Sequence, residues 1–331
     1  MSENSGGFWP SGSGVPAGDT VSPRANTAAE AADLVGRSAA ALVSGIPAKP
    51  ADDGFFGPAS VTWRISGDLT APVAGLRALL IQALHPLAMA GVDQHSDWRA
   101  DPVGRLAATS AYVSTVTFGE RASAERAAAR VRRIHERVTG VDPVTGQEYH
   151  ASDPALLLWV HAALVDSNLA ARETFGVPLA ADDADCYVEE MVVAAELVGV
   201  PAASVPDSVA GLARYLAWVR PQLQLTAAAE QSAAYLLDPP GLDEEVAEIW
   251  QDIREAVLIC LPDWARQAYG FTAPELTGSR RAEIRQALGV LDAVFLGEPG
   301  VLEARQRITL RLRAAAGASG GRPPGPVAAH A

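Results

Sequence analysis

Apolar residues recur at three- and four-residue steps along most of this chain, which is the periodicity of amphipathic helices packed on one face. The pattern predicts helices over residues 28–44, 73–90, 103–118, 124–139, 154–175, 181–198, 208–216, 226–237, 243–260, 262–269 and 279–295. Strict alternation, the mark of a half-buried strand, is nearly absent. Gly91, Gly119, Gly140, Pro178, Pro201 and Pro239 punctuate the junctions, and no repeat of fixed period is visible. The expected architecture is all-α, a single globular helical bundle with its functional pocket between packed helices.

Polar residues that interrupt the apolar faces carry the chemistry. In the helix over 124–139, Ser123 is expected to cap the start and Gly140 to end it in a left-handed turn. Ala124, Ala127, Ala128, Val131, Ile134 and Val138 form its inward stripe, and His135 falls on the same face. An inward imidazole needs either an ordinary hydrogen-bond partner in the core or a metal, and one form of the second is an axial bond to haem iron. His161, with Leu157, Leu158, Leu164 and Val165 on the helix over 154–175, is the rival ligand. On the helix over 103–118, Arg105, Thr109 and Tyr112 share one side, which either lines a cavity or forms a partly exposed flank. His85-Pro86 lies inside an apolar run, where proline must kink or end the helix.

Composition narrows the classes. The 331 residues are 49% hydrophobic, enough to bury a large core, and the formal net charge of -13 argues against nucleic acid as a partner. Lys49 is the sole lysine. Cys186 and Cys260 lie far apart and show no ligand or disulfide spacing. The opening residues lack a basic segment followed by an apolar run, so a cytoplasmic protein is expected. Apolar stretches such as 76–90 and 155–165 are interrupted or too short for a bilayer core of about 30 Å, so no transmembrane segment is expected. Residues 1–53 read as a loosely attached arm, 54–298 as a helical catalytic domain, and 299–331 as an extension ending in a disordered tail. The chain has no His-Glu-x-x-His, phosphate loop, nucleophile elbow or dinucleotide fingerprint.

An ordered series of segments does resemble a known family. Gly54-Phe-Phe-Gly-Pro-Ala-Ser-Val-Thr-Trp-Arg64, Gln82-Ala-Leu-His-Pro86, Ala90-Gly-Val-Asp-Gln-His-Ser96, Arg105 to Thr109, Phe118-Gly119, the His135 helix, Trp159-Val-His161, Tyr187-Val-Glu-Glu190 and Pro262-Asp-Trp-Ala-Arg-Gln-Ala-Tyr-Gly270 resemble the mpaB-type and rubber oxygenase catalytic domains over roughly residues 54 to 290. The resemblance implies an all-α fold enclosing a haem b pocket, with oxygenase chemistry on carbon–carbon double bonds of isoprenoid chains.

Carried over residue by residue, Arg132-Arg-Ile-His135 resembles the family's proximal-ligand helix, with His135 on the iron and Arg132 beside the cofactor. Arg105 and Thr109 resemble the distal arginine and threonine, as catalytic residues. Latex clearing protein, in the same family, has a lysine just before that threonine; this chain has Ala108. The region matching that enzyme's assisting acidic residue, around Met89, is apolar. Both departures count against lysine-ligated closure and against rubber cleavage itself. Two classes of function follow. In one, a haem oxygenase uses dioxygen or peroxide on a hydrophobic small molecule; in the other, a haem-binding sensor or electron carrier uses both His135 and His161 as ligands.

Overall fold

The computed structural model describes residues 51–240, 242, 244–296 and 309–310; the expected arm helix over 28–44, Lys49 and the expected tail lie outside them. Twelve α-helices, two short 3₁₀ turns and one two-stranded hairpin are present among the described residues. The all-α expectation holds.

The first helix, α1 (Val61–Ser66), starts where the Ser60 hydroxyl accepts from the Trp63 N–H. A second cap comes from far away in sequence. The Glu190 carboxylate accepts from Val61 N–H at 3.1 Å, Thr62 N–H at 2.8 Å and the Thr62 hydroxyl at 2.7 Å. Glu190 belongs to the Tyr187 to Glu190 segment, so that motif joins two helices. Just before α1, Gly54 has φ +72°, and a Cβ there would stand 2.3 Å from the Gly119 carbonyl oxygen. Only glycine permits the Gly54 and Gly119 segments to meet so closely.

The expected helix over 73–90 is two helices, α2 (Ala71–Ala83) and α3 (Pro86–His95), bent by 102°. Pro86 has no N–H to continue the ladder and its ring forces His85 into an extended conformation, with ψ 113°. Carbonyls around the bend find other donors: the Tyr269 hydroxyl reaches Leu80 O at 2.7 Å, Trp159 Nε1 reaches Gln82 O at 3.1 Å, and Gln224 N–H reaches Leu84 O at 2.9 Å. Tyr269 and Trp159 both lie in segments that carry the family resemblance, and here they hold the bend.

Next come α4 (Pro102–Phe118) and α5 (Arg121–His135). Asp101 caps α4 by accepting from Gly104 N–H, and Pro102 stands in the first turn. The structure corrects the expected ends of α5. Glu120, not Ser123, occupies the cap position, and the helix closes at His135 instead of running to residue 139. Gly140 does not end it in a left-handed turn but sits in the strand β1 (Thr139–Val141), which pairs antiparallel with β2 (Glu148–His150). Ile134, expected on the inward stripe, is half exposed, whereas Ala124 and Ala128 are fully buried.

The remaining helices are α6 (Pro154–Phe175), α7 (Ala181–Val198), α8 (Val209–Val219), α9 (Ala227–Leu237), α10 (Glu244–Cys260), α11 (Asp263–Tyr269) and α12 (Gly278–Leu296). The main core forms where α2, α6, α10 and α12 meet, around Val73, Leu80, Trp159, Phe175, Ile253 and Ile284. By length and composition α6 is apolar enough to cross a membrane, yet 56% of its most apolar stretch is buried inside the protein. That burial accounts for its composition as a central helix packed on several sides.

Candidate functional site

The turn between α4 and α5 decides which polar residues meet. Only Gly119 and Glu120 separate the two helices, so α4 and α5 pack as a hairpin. Arg105 lies thirteen residues before the end of α4 and His135 fourteen after the start of α5, which sets them level with one another. The electrostatics agree. Burial lowers the pKa of His135, and the positive charge of Arg105 lowers it further. His135 is therefore a neutral imidazole at physiological pH, with a nitrogen lone pair available for coordination.

Tyr112, one and two turns along α4 from Thr109 and Arg105, points at the same place. Burial pushes its hydroxyl up to about 12, and the charge of Arg132 opposes that rise. Arg132, three residues before His135, donates to the Leu197 carbonyl at the end of α7. Across from it, Leu157 of α6 and the Arg132 stem converge on Gly199, where an added Cβ would lie 3.8 Å and 3.9 Å from them. Side chains and backbone of α4, α5, α6 and α7 thus meet around Arg132.

Two atoms in the site share a feature. His135 Nδ1 and the Tyr112 hydroxyl are both buried and have no hydrogen-bond partner among the described residues. Leaving one such group unsatisfied costs roughly 1–3 kcal/mol. Both lie on the α4–α5 hairpin that carries Arg105 and Arg132.

Arg105 keeps exposed surface, although the protein around it lowers its pKa by desolvation, and it forms no ion pair among the described residues. Its donor fork is free. The Thr109 hydroxyl, by contrast, donates to the Arg105 carbonyl at 3.0 Å, so its proton is already engaged. The structure brings Arg105, Thr109, Tyr112, Arg132 and His135 to one end of the α4–α5 hairpin.

His161 stands apart on α6, buried, with no hydrogen bond or ring contact to His135 among the described residues. Burial drives its pKa from 6.5 down to about 4. Between those values the unfolded chain binds a proton that the native protein refuses, so the native state loses stability as pH falls through that window. The full contribution is present above about pH 6.5 and about 3 kcal/mol of it is gone by pH 4. Denaturant titrations of cofactor-free protein across this range should therefore show a flatter profile for His161→Leu than for the parent. Equal slopes would place the acid sensitivity elsewhere.

His85 was legible in the sequence only as part of a proline bend. It is buried, its ring centroid lies 6.1 Å from that of Trp159, and its Nδ1 also lacks a partner among the described residues. Its pKa is lowered by burial, against the pull of Asp142 and Asp153. A histidine before proline in an apolar run was the one available signal. Among the described residues no three His, Cys, Asp or Glu side chains gather into a set able to hold a bare metal ion.

Residues 63–293, well over half the chain, match the model of the family described as ER-bound oxygenase mpaB/B'/Rubber oxygenase, catalytic domain. No curated protein and no solved structure matches the chain.

Proposed function

The chain belongs to the mpaB/rubber oxygenase catalytic-domain family, and from that premise we propose that it is a haem b-dependent oxygenase acting on an apolar, unsaturated, isoprenoid-like small molecule. The observation that carries the haem reading is the paired burial of His135 Nδ1 and the Tyr112 hydroxyl without partners. The donor set fits the group. A porphyrin brings four nitrogen donors of its own, so its iron needs one neutral imidazole from the protein, not a cluster of ligands.

In this reading His135 would hold the iron, and the charge of Arg132 would balance a carboxylate of the macrocycle. Haem, when bound, supplies the redox-active iron that activates dioxygen or peroxide. Arg105 directs its free donors to where negative charge develops on the oxidant. Thr109 supplies an oxygen lone pair and a short polar surface beside it. Tyr112 stays a neutral phenol throughout the working pH range, a donor rather than a base, because burial holds its pKa so high. The aliphatic side chains of α6 give an apolar substrate a water-poor contact surface.

Titration with haemin tests the reading directly. The purified protein should develop a Soret band, release an extractable porphyrin, and give the pyridine haemochrome of haem b, since no Cys-x-x-Cys-His is present for covalent attachment. A protein that stays spectrally unchanged on adding haemin would end the proposal. His161, a second buried and neutral imidazole, favours one other reading, a sensor or electron carrier with two histidine ligands. A low-spin ferric spectrum that resists cyanide and imidazole would select it.

A further inference from the structure

The outer face of α5 is unlike the rest of the molecule. Arg126, Arg130 and Arg133 follow one another at steps of four and three residues, and Arg137 continues the row in the turn that closes the helix. At 100° per residue these four fall on one narrow strip, on the side of the helix away from His135. All four are exposed, and none forms an ion pair among the described residues. Arg126 makes one hydrogen bond, to the Ser123 hydroxyl at 3.0 Å.

The local charge runs against the whole. Residues 121–137 hold six arginines against Glu125 and Glu136, in a chain with 26 basic and 39 acidic residues. Glu125 and Glu136 lie on the flank of the helix, not within the strip. Such a concentration in an acidic protein orients it toward a negatively charged surface while its other faces are repelled.

Apolar side chains accompany the arginines. Ile134, at the edge of the strip beside Arg130 and Arg137, is 50% exposed. On the hairpin that follows, Val141 is 52% and Val144 54% exposed. Arginines interleaved with exposed aliphatic side chains are the composition of segments that lie in a lipid interface, where the cations meet headgroups and the aliphatics enter the acyl boundary. A soluble acidic partner would be met by the arginines but would leave the aliphatics without a role.

We propose that this face of α5, with the β1–β2 hairpin, docks the protein on the surface of an anionic lipid bilayer. The docking rests on the charge and exposure of these residues and does not need the haem reading. If both hold, the helix that carries His135 on its inner side lies against the phase in which an apolar substrate dissolves.

Vesicle co-sedimentation of the full chain tests it, using phosphatidylcholine vesicles and the same vesicles with phosphatidylglycerol added. Binding is expected only with phosphatidylglycerol, at low ionic strength, and should fade as salt is raised. Arg130→Glu/Arg133→Glu should weaken it by at least about 25-fold, since each basic residue near an anionic surface is worth roughly fivefold. Ile134→Ser/Val144→Ser should weaken it several-fold, while Arg254→Glu, an exposed arginine on α10, should bind like the parent. Circular dichroism and thermal melts report whether each variant is folded.

No binding to phosphatidylglycerol vesicles at low salt would overturn the proposal. So would undiminished binding of Arg130→Glu/Arg133→Glu, or an equal loss in Arg254→Glu. Binding of polyglutamate without binding of vesicles would assign the face to an acidic protein instead.

Discussion

His135→Ala is expected to lose haem, with affinity falling more than about hundredfold, while His161→Ala keeps it within about tenfold. The first figure exceeds what disturbing groups behind a metal ligand costs, typically 10–100-fold, because the ligand itself is gone. His135 is at the closing residue of α5, where alanine is well tolerated, so the helix survives the change. Its Nδ1 has no hydrogen bond to lose among the described residues, and the folded state should not be weakened by an orphaned partner. His161→Ala opens a space in a buried face of α6 and should lower stability without releasing haem. Soret titrations with haemin, run beside circular dichroism, distinguish the two. Added imidazole should restore haem binding to His135→Ala by filling the vacated position, a rescue that a purely structural histidine would not show. If His161→Ala loses haem and His135→Ala retains it, the iron belongs on α6. Loss in both folded variants would point to two histidine ligands and to the sensor or electron-carrier reading.

The helices were legible because apolar positions repeat at the helical period, and tertiary packing leaves that signal intact when each helix buries one face. Their ends were less legible. At 83–86 the apolar pattern runs straight through a 102° bend, since both arms of the bend are buried and neither loses its hydrophobic residues. At the start of α5, Ser123 has the right chemistry for a cap, but the close approach of Gly54 to Gly119 fixes the chain entry three residues earlier. The hairpin escaped notice because its strands are three residues long, and its one inward side chain is Tyr149, too little for a period of two to register. Its turn is held by Asp142, which accepts from the Thr145 N–H and hydroxyl at 2.8 Å and 2.6 Å.

The candidate site was legible in parts. An inward His135 follows from periodicity, but its neighbourhood with Arg105, thirty residues away, does not. That pairing depends on the two-residue turn at Gly119 and Glu120, which folds α4 back along α5. The Tyr112 hydroxyl gave no signal as an unsatisfied group, because satisfaction depends on what faces it from α5 and α7. His85 is the same case: its burial comes from the bend and from Trp159, both tertiary facts.

On the opposite side of the chemistry, Arg105→Ala is expected to keep haem and fold while losing about a hundredfold or more in turnover of an unsaturated, apolar substrate, the usual cost of removing a positioned donor to developing negative charge. Thr109→Ala should lose much less, about tenfold, because its hydroxyl proton is committed to the Arg105 carbonyl and only lone pairs are offered. The asymmetry is the test. Arg105 has a free donor fork, so its loss removes a permanent charge and several N–H groups together, and Arg105→Lys should recover only part of the rate because a single ammonium cannot reproduce the fork. Ala108 gives a second expectation: with no lysine at that position to compete for the metal, the ferric protein should take up cyanide or imidazole readily. Steady-state turnover and cyanide titration of the parent and all three variants measure these effects separately. Full activity in Arg105→Ala would move the chemistry away from the α4–α5 hairpin. A loss in Thr109→Ala as large as that in Arg105→Ala would mean the hydroxyl leaves its backbone partner during turnover.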